Sequence, residues 1–208
     1  MGGWLQTAMN AASSMSPWEL AAVAFAITYL LLAVRENVWC WFFAFVSTAI
    51  YTILFWDVSL LMDSALNVYY MAMAVFGWYQ WTHAASGGND ESHTLAIRSL
   101  SKRQHGLIVI SILLCSCVSG FLLSKYSNAA WPYVDSFTTW ASVIATYLVA
   151  TKYLQNWLYW IVIDAVSVPL YIERGLGLTA LLFAVYIVIA VIGYRSWRKH
   201  YLGQQVAS

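Results

Sequence analysis

Apolar residues in this chain run in long blocks rather than in stripes. Predominantly apolar stretches cover residues 17–34, 38–56, 59–81, 106–123, 135–151, 157–172 and 176–195. Each approaches the roughly 17–25 residues that a helix needs to cross the hydrocarbon of a bilayer. The pattern predicts seven membrane-spanning helices, and so an all-α polytopic membrane protein. Ser16-Pro17 with Glu19 supplies a cap, a proline at the first helical position and an acid in the first turn, which places the first helix start there. The longest polar piece, His83 to His105, lacks apolar periodicity and reads as a solvated connection between spans three and four.

Composition agrees: 62% of the residues are hydrophobic and 9% charged, against roughly 25% charge in a soluble domain. A net charge of +1, with basic residues scattered along the chain, excludes the basic patch that nucleic acid requires. No basic run, short apolar core and cleavage site precede the first span, which is expected to stay in the membrane. Cys40, Cys115 and Cys117 form no disulfide framework, and Cys115 and Cys117 point to nearly opposite helix faces. No metal or cofactor is expected.

Lys and Arg are retained in cytoplasmic loops. One side of the predicted topology carries Arg35, Arg98, Lys102, Arg103, Lys152, Arg195, Arg198 and Lys199, and the other carries Lys125 and Arg174. The N-terminus is therefore expected outside and the C-terminus in the cytoplasm. Trp18, Trp56, Trp81, Trp131, Tyr194 and Trp197 fall at predicted span ends, where interfacial aromatic belts form.

The chain also echoes itself. Thr28-Tyr29-Leu30 before Trp39 matches Thr146-Tyr147-Leu148 before Trp157 at an offset of 118, and Gly77-x-x-x-Trp81 matches Gly193-x-x-x-Trp197 at 116. The expected organisation is a single membrane domain over 1–208, with a three-helix repeat at 17–81, a linker helix at 106–123 and a second repeat at 135–197. One intervening helix makes the repeats parallel. Parallel three-helix repeats form the SWEET-like 3-1-3 arrangement, with substrate near the midplane between bundles.

Charged groups inside a span usually face a cavity or a partner. Asp164 falls in the middle of span six, and Trp157, Trp160 and Asp164 lie at i, i+3 and i+7 along one stripe. Asn67 and Tyr70 share a stripe of span three with Asp63, and Tyr186 is the counterpart of Tyr70 in span seven. These six, Asn67, Tyr70, Trp157, Trp160, Asp164 and Tyr186, are the candidate substrate-binding residues; Asp63 and Asp135 are candidates for an outer vestibule. The residues alone leave room for other roles: tryptophans as interfacial anchors, Asp164 and Asn67 as interhelical bonds, and the two outer acids as solvated helix ends. No Lys or Arg falls at the centre of any span, which disfavours anionic substrates such as phosphorylated nucleotides. A flat cation suits such a site, each cation–π contact contributing about 0.5–2 kcal/mol.

Phe76-Gly77-Trp78-Tyr79-x-Trp81, Asp135-Ser136, Lys152-Tyr153-x-x-Asn156-Trp157-Leu158-x-Trp160 and Gly175-x-x-x-Thr179-Ala180 together resemble the PnuC family of nicotinamide riboside transporters. The resemblance extends from about Trp18 to Trp197. It implies the seven-helix 3-1-3 fold, a homotrimer in the bacterial inner membrane, and facilitated uptake of a dephosphorylated vitamin precursor that a cytoplasmic kinase traps. It also implies that Trp157, Trp160 and position 164, with position 67, surround the ligand. Position 164 is Asp here where an amide is usual, and position 67 is Asn where Gln can stand. The carboxylate favours a cation, so nicotinamide riboside is the expected substrate, with thiamine as the alternative. A seven-helix receptor or sensor is the competing class, although span seven lacks the lysine that a retinal protein needs. An enzyme is not expected, because His83, His93, His105 and His200 all lie in loops or the tail.

Overall fold

The computed structural model describes residues 16–57, 61–83, 95–127, 131–173 and 177–207. Seven helices account for most of them: α1 (Pro17–Val34), α2 (Cys40–Asp57), α3 (Leu61–His83), α4 (Lys102–Tyr126), α5 (Pro132–Ala150), α6 (Asn156–Glu173) and α7 (Gly177–Ala207). Ser16 caps α1 by accepting from the Glu19 amide, while the Glu19 carboxylate accepts from the Ser16 amide. Ser101 and Gln104 close the same reciprocal box at the start of α4. Of the described helices, α1, α2, α4 and α7 are long and apolar enough by composition alone to cross a membrane. The more polar helices α3, α5 and α6 carry the buried Ser64, Asn67, Ser136, Ser142, Thr146, Asp164 and Ser167.

Consecutive helices pack in hairpins, α1 on α2 on α3 and α5 on α6 on α7, while α4 lies against α5. The two triplets meet where α1 touches α7 and where α3 touches α5. Small side chains allow close approach: Ala33, Ala44, Ala74, Ala145, Ala150 and Ala190 are all buried. Gly77 lies beneath the ring of Trp41, and Gly193 beneath the ring of Trp157. Polar bonds tie the helices at several depths. Ser47 donates to the Ala22 carbonyl, Ser64 to that of Thr52, and the Tyr69 hydroxyl to that of Val143.

The main core gathers at one end of the bundle. Trp41 and Trp81 meet edge to face at 5.4 Å, Trp81 and Trp197 at 6.1 Å, and Trp197 and Trp157 edge to face at 5.5 Å. The Trp81 indole donates to the Ala150 carbonyl (3.1 Å), and the Trp197 indole to the Ala33 carbonyl (3.0 Å). Trp81 and Trp197 are therefore core residues, whereas Trp18, Trp56 and Trp131 are exposed as belt residues should be. Trp41, rather than the exposed Trp39, shares the setting of Trp157, which moves the 118-residue match of that stretch to 116.

Three element boundaries differ from the sequence pattern. Helix α4 starts at Lys102 because the Ser101 cap draws a polar turn into it. Helix α7 runs to Ala207, carrying Arg195, Arg198 and Lys199 on exposed turns beyond the apolar block. Part of the expected solvated connection is docked: Ile97 and Leu100 are buried, and Leu95 packs on the main core. Arg98 there accepts from the Leu154 amide (2.8 Å) and donates its own amide to the Lys152 carbonyl (2.9 Å). Gln155 completes the attachment, accepting from the Leu100 amide and donating to Ser99.

Candidate functional site

Asp164 lies deep within the second triplet, only 3% exposed. It stands two turns into α6, beyond Trp157 and Trp160, on the face that helix turns toward its neighbours. The Tyr70 phenol of α3 lies beside Ser142 of α5 and within electrostatic reach of Asp164 and Tyr171. The Tyr186 phenol of α7 is likewise within reach of Asp164, and of Tyr51 from α2. Further aromatic rings pack beside the two phenols: Tyr171 on Phe183 at 5.0 Å, Phe183 on Tyr186 at 5.7 Å, and Tyr69 on Tyr70 at 5.8 Å. Among the described residues both ion pairs belong to Glu36, so no cation neutralises Asp164.

Three of the residues singled out from the sequence, Tyr70, Asp164 and Tyr186, thus converge from three helices. Asn67 is buried one turn before Tyr70 on α3. Trp160 is half-buried and packs against both core clusters, bridging the tryptophan core to the Ile112, Ala141, Ala145 and Ile163 cluster. Trp157 sits further toward the Trp81 end, 1% exposed, its face on Gly193 and its indole nitrogen without a hydrogen-bond partner. Asp135 is half-buried in the first turn of α5, away from this group. Asp63 belongs to α3, but its side chain lies outside the described residues, as do Arg174 and Gly175.

Sequence reasoning missed Ser142, Tyr51 and Tyr171. Ser142 had a signal, since Ser136, Ser142 and Thr146 put small hydroxyls on the buried side of α5. Chemically, the arrangement offers a buried carboxylate in the company of phenols, with hydroxyl groups that donate or accept and an indole, Trp160, one turn earlier on the same helix. Such a lining holds a small aromatic molecule and compensates positive charge.

Among the described residues, an apolar exterior surrounds seven helices with a buried acid and several phenols inside, the arrangement of a polytopic membrane protein that holds a small polar or charged molecule. The comparisons narrow this. A family model described as nicotinamide mononucleotide transporter matches residues 16–199. The riboflavin/roseoflavin transporter RibM of Streptomyces davaonensis is 24% identical over 81% of this chain and 78% of its own. The nicotinamide riboside transporters PnuC of Escherichia coli and Neisseria mucosa are each 27% identical, over 80% and 86% of this chain and 78% and 72% of theirs. The crystal structure of the vitamin B3 transporter PnuC superposes with a TM-score of 0.74 at 21% identity, covering 95% of this chain and 87% of that one. The chain belongs to the nicotinamide mononucleotide transporter family, that of PnuC, and is a multi-pass membrane transporter rather than an enzyme.

Proposed function

We propose that this chain carries a small cationic aromatic vitamin precursor, nicotinamide riboside first, across the bacterial inner membrane. The observation that carries the reading is Asp164: a buried carboxylate without a described basic partner, within reach of Tyr70 and Tyr186. A pyridinium ring placed there has its counter-charge in Asp164 and aromatic faces in Trp160, Tyr70 and Tyr186. Asn67 offers an amide to the polar end of the ligand, Trp157 closes the inner end, and Asp63 and Asp135 form the outer vestibule. Thiamine is the second reading, favoured by the same acid, because its thiazolium also carries a fixed positive charge. Riboflavin, the cargo in the Streptomyces relative's name, is uncharged and gains nothing from a buried carboxylate.

Transport proceeds by alternating access between two parallel three-helix repeats, 17–81 and 135–197. The reading is supported by equivalent features 116 residues apart: Trp41 over Gly77 and Trp157 over Gly193, and Glu36 opposite Lys152. The N-terminus faces outward and the C-terminus the cytoplasm, and three protomers assemble. With no relay of buried acids or histidines among the described residues of the spans, the protein is read as a uniporter whose net uptake comes from a cytoplasmic kinase. A monocation gains roughly 2.3 kcal/mol per 100 mV of inside-negative potential.

Titration of the purified protein with nicotinamide riboside and with thiamine, followed by tryptophan fluorescence, tests the substrate. Quenching by one or both is expected, and Asp164→Asn should weaken cation binding at least tenfold, about 1.4 kcal/mol. Unchanged affinity in Asp164→Asn would remove the carboxylate from the site.

A further inference from the structure

Helices α1 and α5 end alike. At the first, the Glu36 amide donates to the Ala33 carbonyl and the Asn37 amide to that of Leu32. At the second, the Lys152 amide donates to Val149 and the Tyr153 amide to Leu148. Both are Schellman turns, whose left-handed position is normally glycine. Here those positions hold Glu36 (φ 54°) and Lys152 (φ 52°), a conformation that disfavours any residue with a Cβ. Strained backbone of this kind persists where the side chain is needed.

The two side chains meet each other. Lys152 Nζ lies 2.9 Å from a Glu36 carboxylate oxygen, and the two side chains are 2% and 16% exposed. The ammonium also stands 4.6 Å over the Trp81 ring, and the second Glu36 oxygen is 2.6 Å from His200 Nδ1 on α7. Beside the pair run the crossed indole bonds, Trp81 to Ala150 and Trp197 to Ala33. Each of these contacts joins residues 17–83 to residues 132–207, and the ion pair links the turns after the leading helix of each triplet. Charge is thus spent, at two positions suited to glycine, on closing one end of the molecule.

We propose that Glu36 and Lys152 form the clasp that holds the two triplets together at the Trp81 end, and that this clasp must part for the substrate site to open toward that end. The inference rests on the alternating-access reading above but not on which vitamin is carried. Glu36 and Lys152 are positioning residues: they set which way the site opens and do not line it. Solvent exclusion from Lys152 fits a closed end.

Pulsed electron–electron distance measurements in liposomes test this without substrate. Spin labels go on the exposed His83 of α3 and Lys199 of α7, both replaced by Cys after the native cysteines are changed to Ser. The unbroken clasp should give one dominant distance. Glu36→Gln and Lys152→Gln should each add a longer-distance population, and the double variant should resemble either single one, since both break the same bond. Glu36→Gly keeps the test open should those fold poorly: glycine suits the turn, so the protein should remain stable while the longer population still grows. A folded Glu36→Gly protein with an unchanged distance distribution would overturn the clasp. Failure of the labelled protein to bind nicotinamide riboside or thiamine would count against the substrate reading alone.

Discussion

A Cβ built on Gly193 would stand 2.7 Å from the Trp157 ring, and one on Gly77 would overlap the Trp41 ring. Both rings are buried, so neither has space into which it can withdraw. Gly193→Ala should therefore destabilise by about 1–3 kcal/mol, the usual range for overpacking, visible as a lower thermal midpoint in detergent. Gly203→Ala is the matching control. Nothing lies within 4 Å of a Cβ there, and alanine should gain up to about 1 kcal/mol of helix propensity. At this scale the sequence was informative where a residue contradicted its surroundings. Asp164 stood out because an acid in a span is costly; Tyr70 followed from helical spacing and Tyr186 from its place opposite Tyr70 in the internal match. Ser142 and Tyr51 did not stand out, because hydroxyl and aromatic groups are common in spans. Which of them turns inward is decided by how α2 and α5 pack.

Residues 95–101 show what hydropathy misses at the scale of an element. Leu95, Ile97 and Leu100 are too few for a span, and the stretch follows a polar one, yet Ile97 joins the buried core while Arg98 bonds to the turn after α5. Ile97→Ala should cost about 2–5 kcal/mol if that packing is part of the cooperative unit. It should also speed tryptic cleavage after the exposed Arg98, because the segment would open locally. Unchanged cleavage would mean that backbone bonds and Gln155 hold it alone. The seven helices themselves were legible because lipid requires long apolar blocks. Their ends were less so: α4 begins in a polar turn and α7 continues past Tyr194 with charged residues, and hydropathy marks where lipid stops rather than where the helix does. The Ser101-x-x-Gln104 box was a readable signal for α4.

Across the whole molecule, Trp81 and Trp197 do equivalent work from opposite triplets. Trp81→Phe and Trp197→Phe each remove one buried indole hydrogen bond, about 1 kcal/mol apiece, although the Ala33 carbonyl keeps the Glu36 amide when Trp197 is replaced. Trp81→Phe should lose somewhat more, since the Trp81 ring also faces Lys152 and indole is the better cation–π partner. Thermal midpoints of the two variants decide: an order reversed from this would mean that the Lys152 contact contributes nothing. In the sequence Gly77/Trp81 and Gly193/Trp197 stand 116 residues apart, the same spacing that separates the packed pairs Trp41 over Gly77 and Trp157 over Gly193. The shared Thr-Tyr-Leu triplet pairs Trp39 with Trp157 at an offset of 118, two more than the spacing of the packed Trp41 and Trp157.

Four of the twelve tryptophans stand in a continuous chain, edge to face at its two outer contacts and tilted at the central one, their centroids 5.4–6.1 Å apart. Indoles so close and so steeply inclined share their excited states, so the chain should give the protein an exciton couplet in circular dichroism that isolated tryptophans lack. The central link, Trp81 to Trp197, joins the two triplets. Parting them would divide one coupled chromophore into two, and the couplet would record that separation in unlabelled protein as an optical signal of its own.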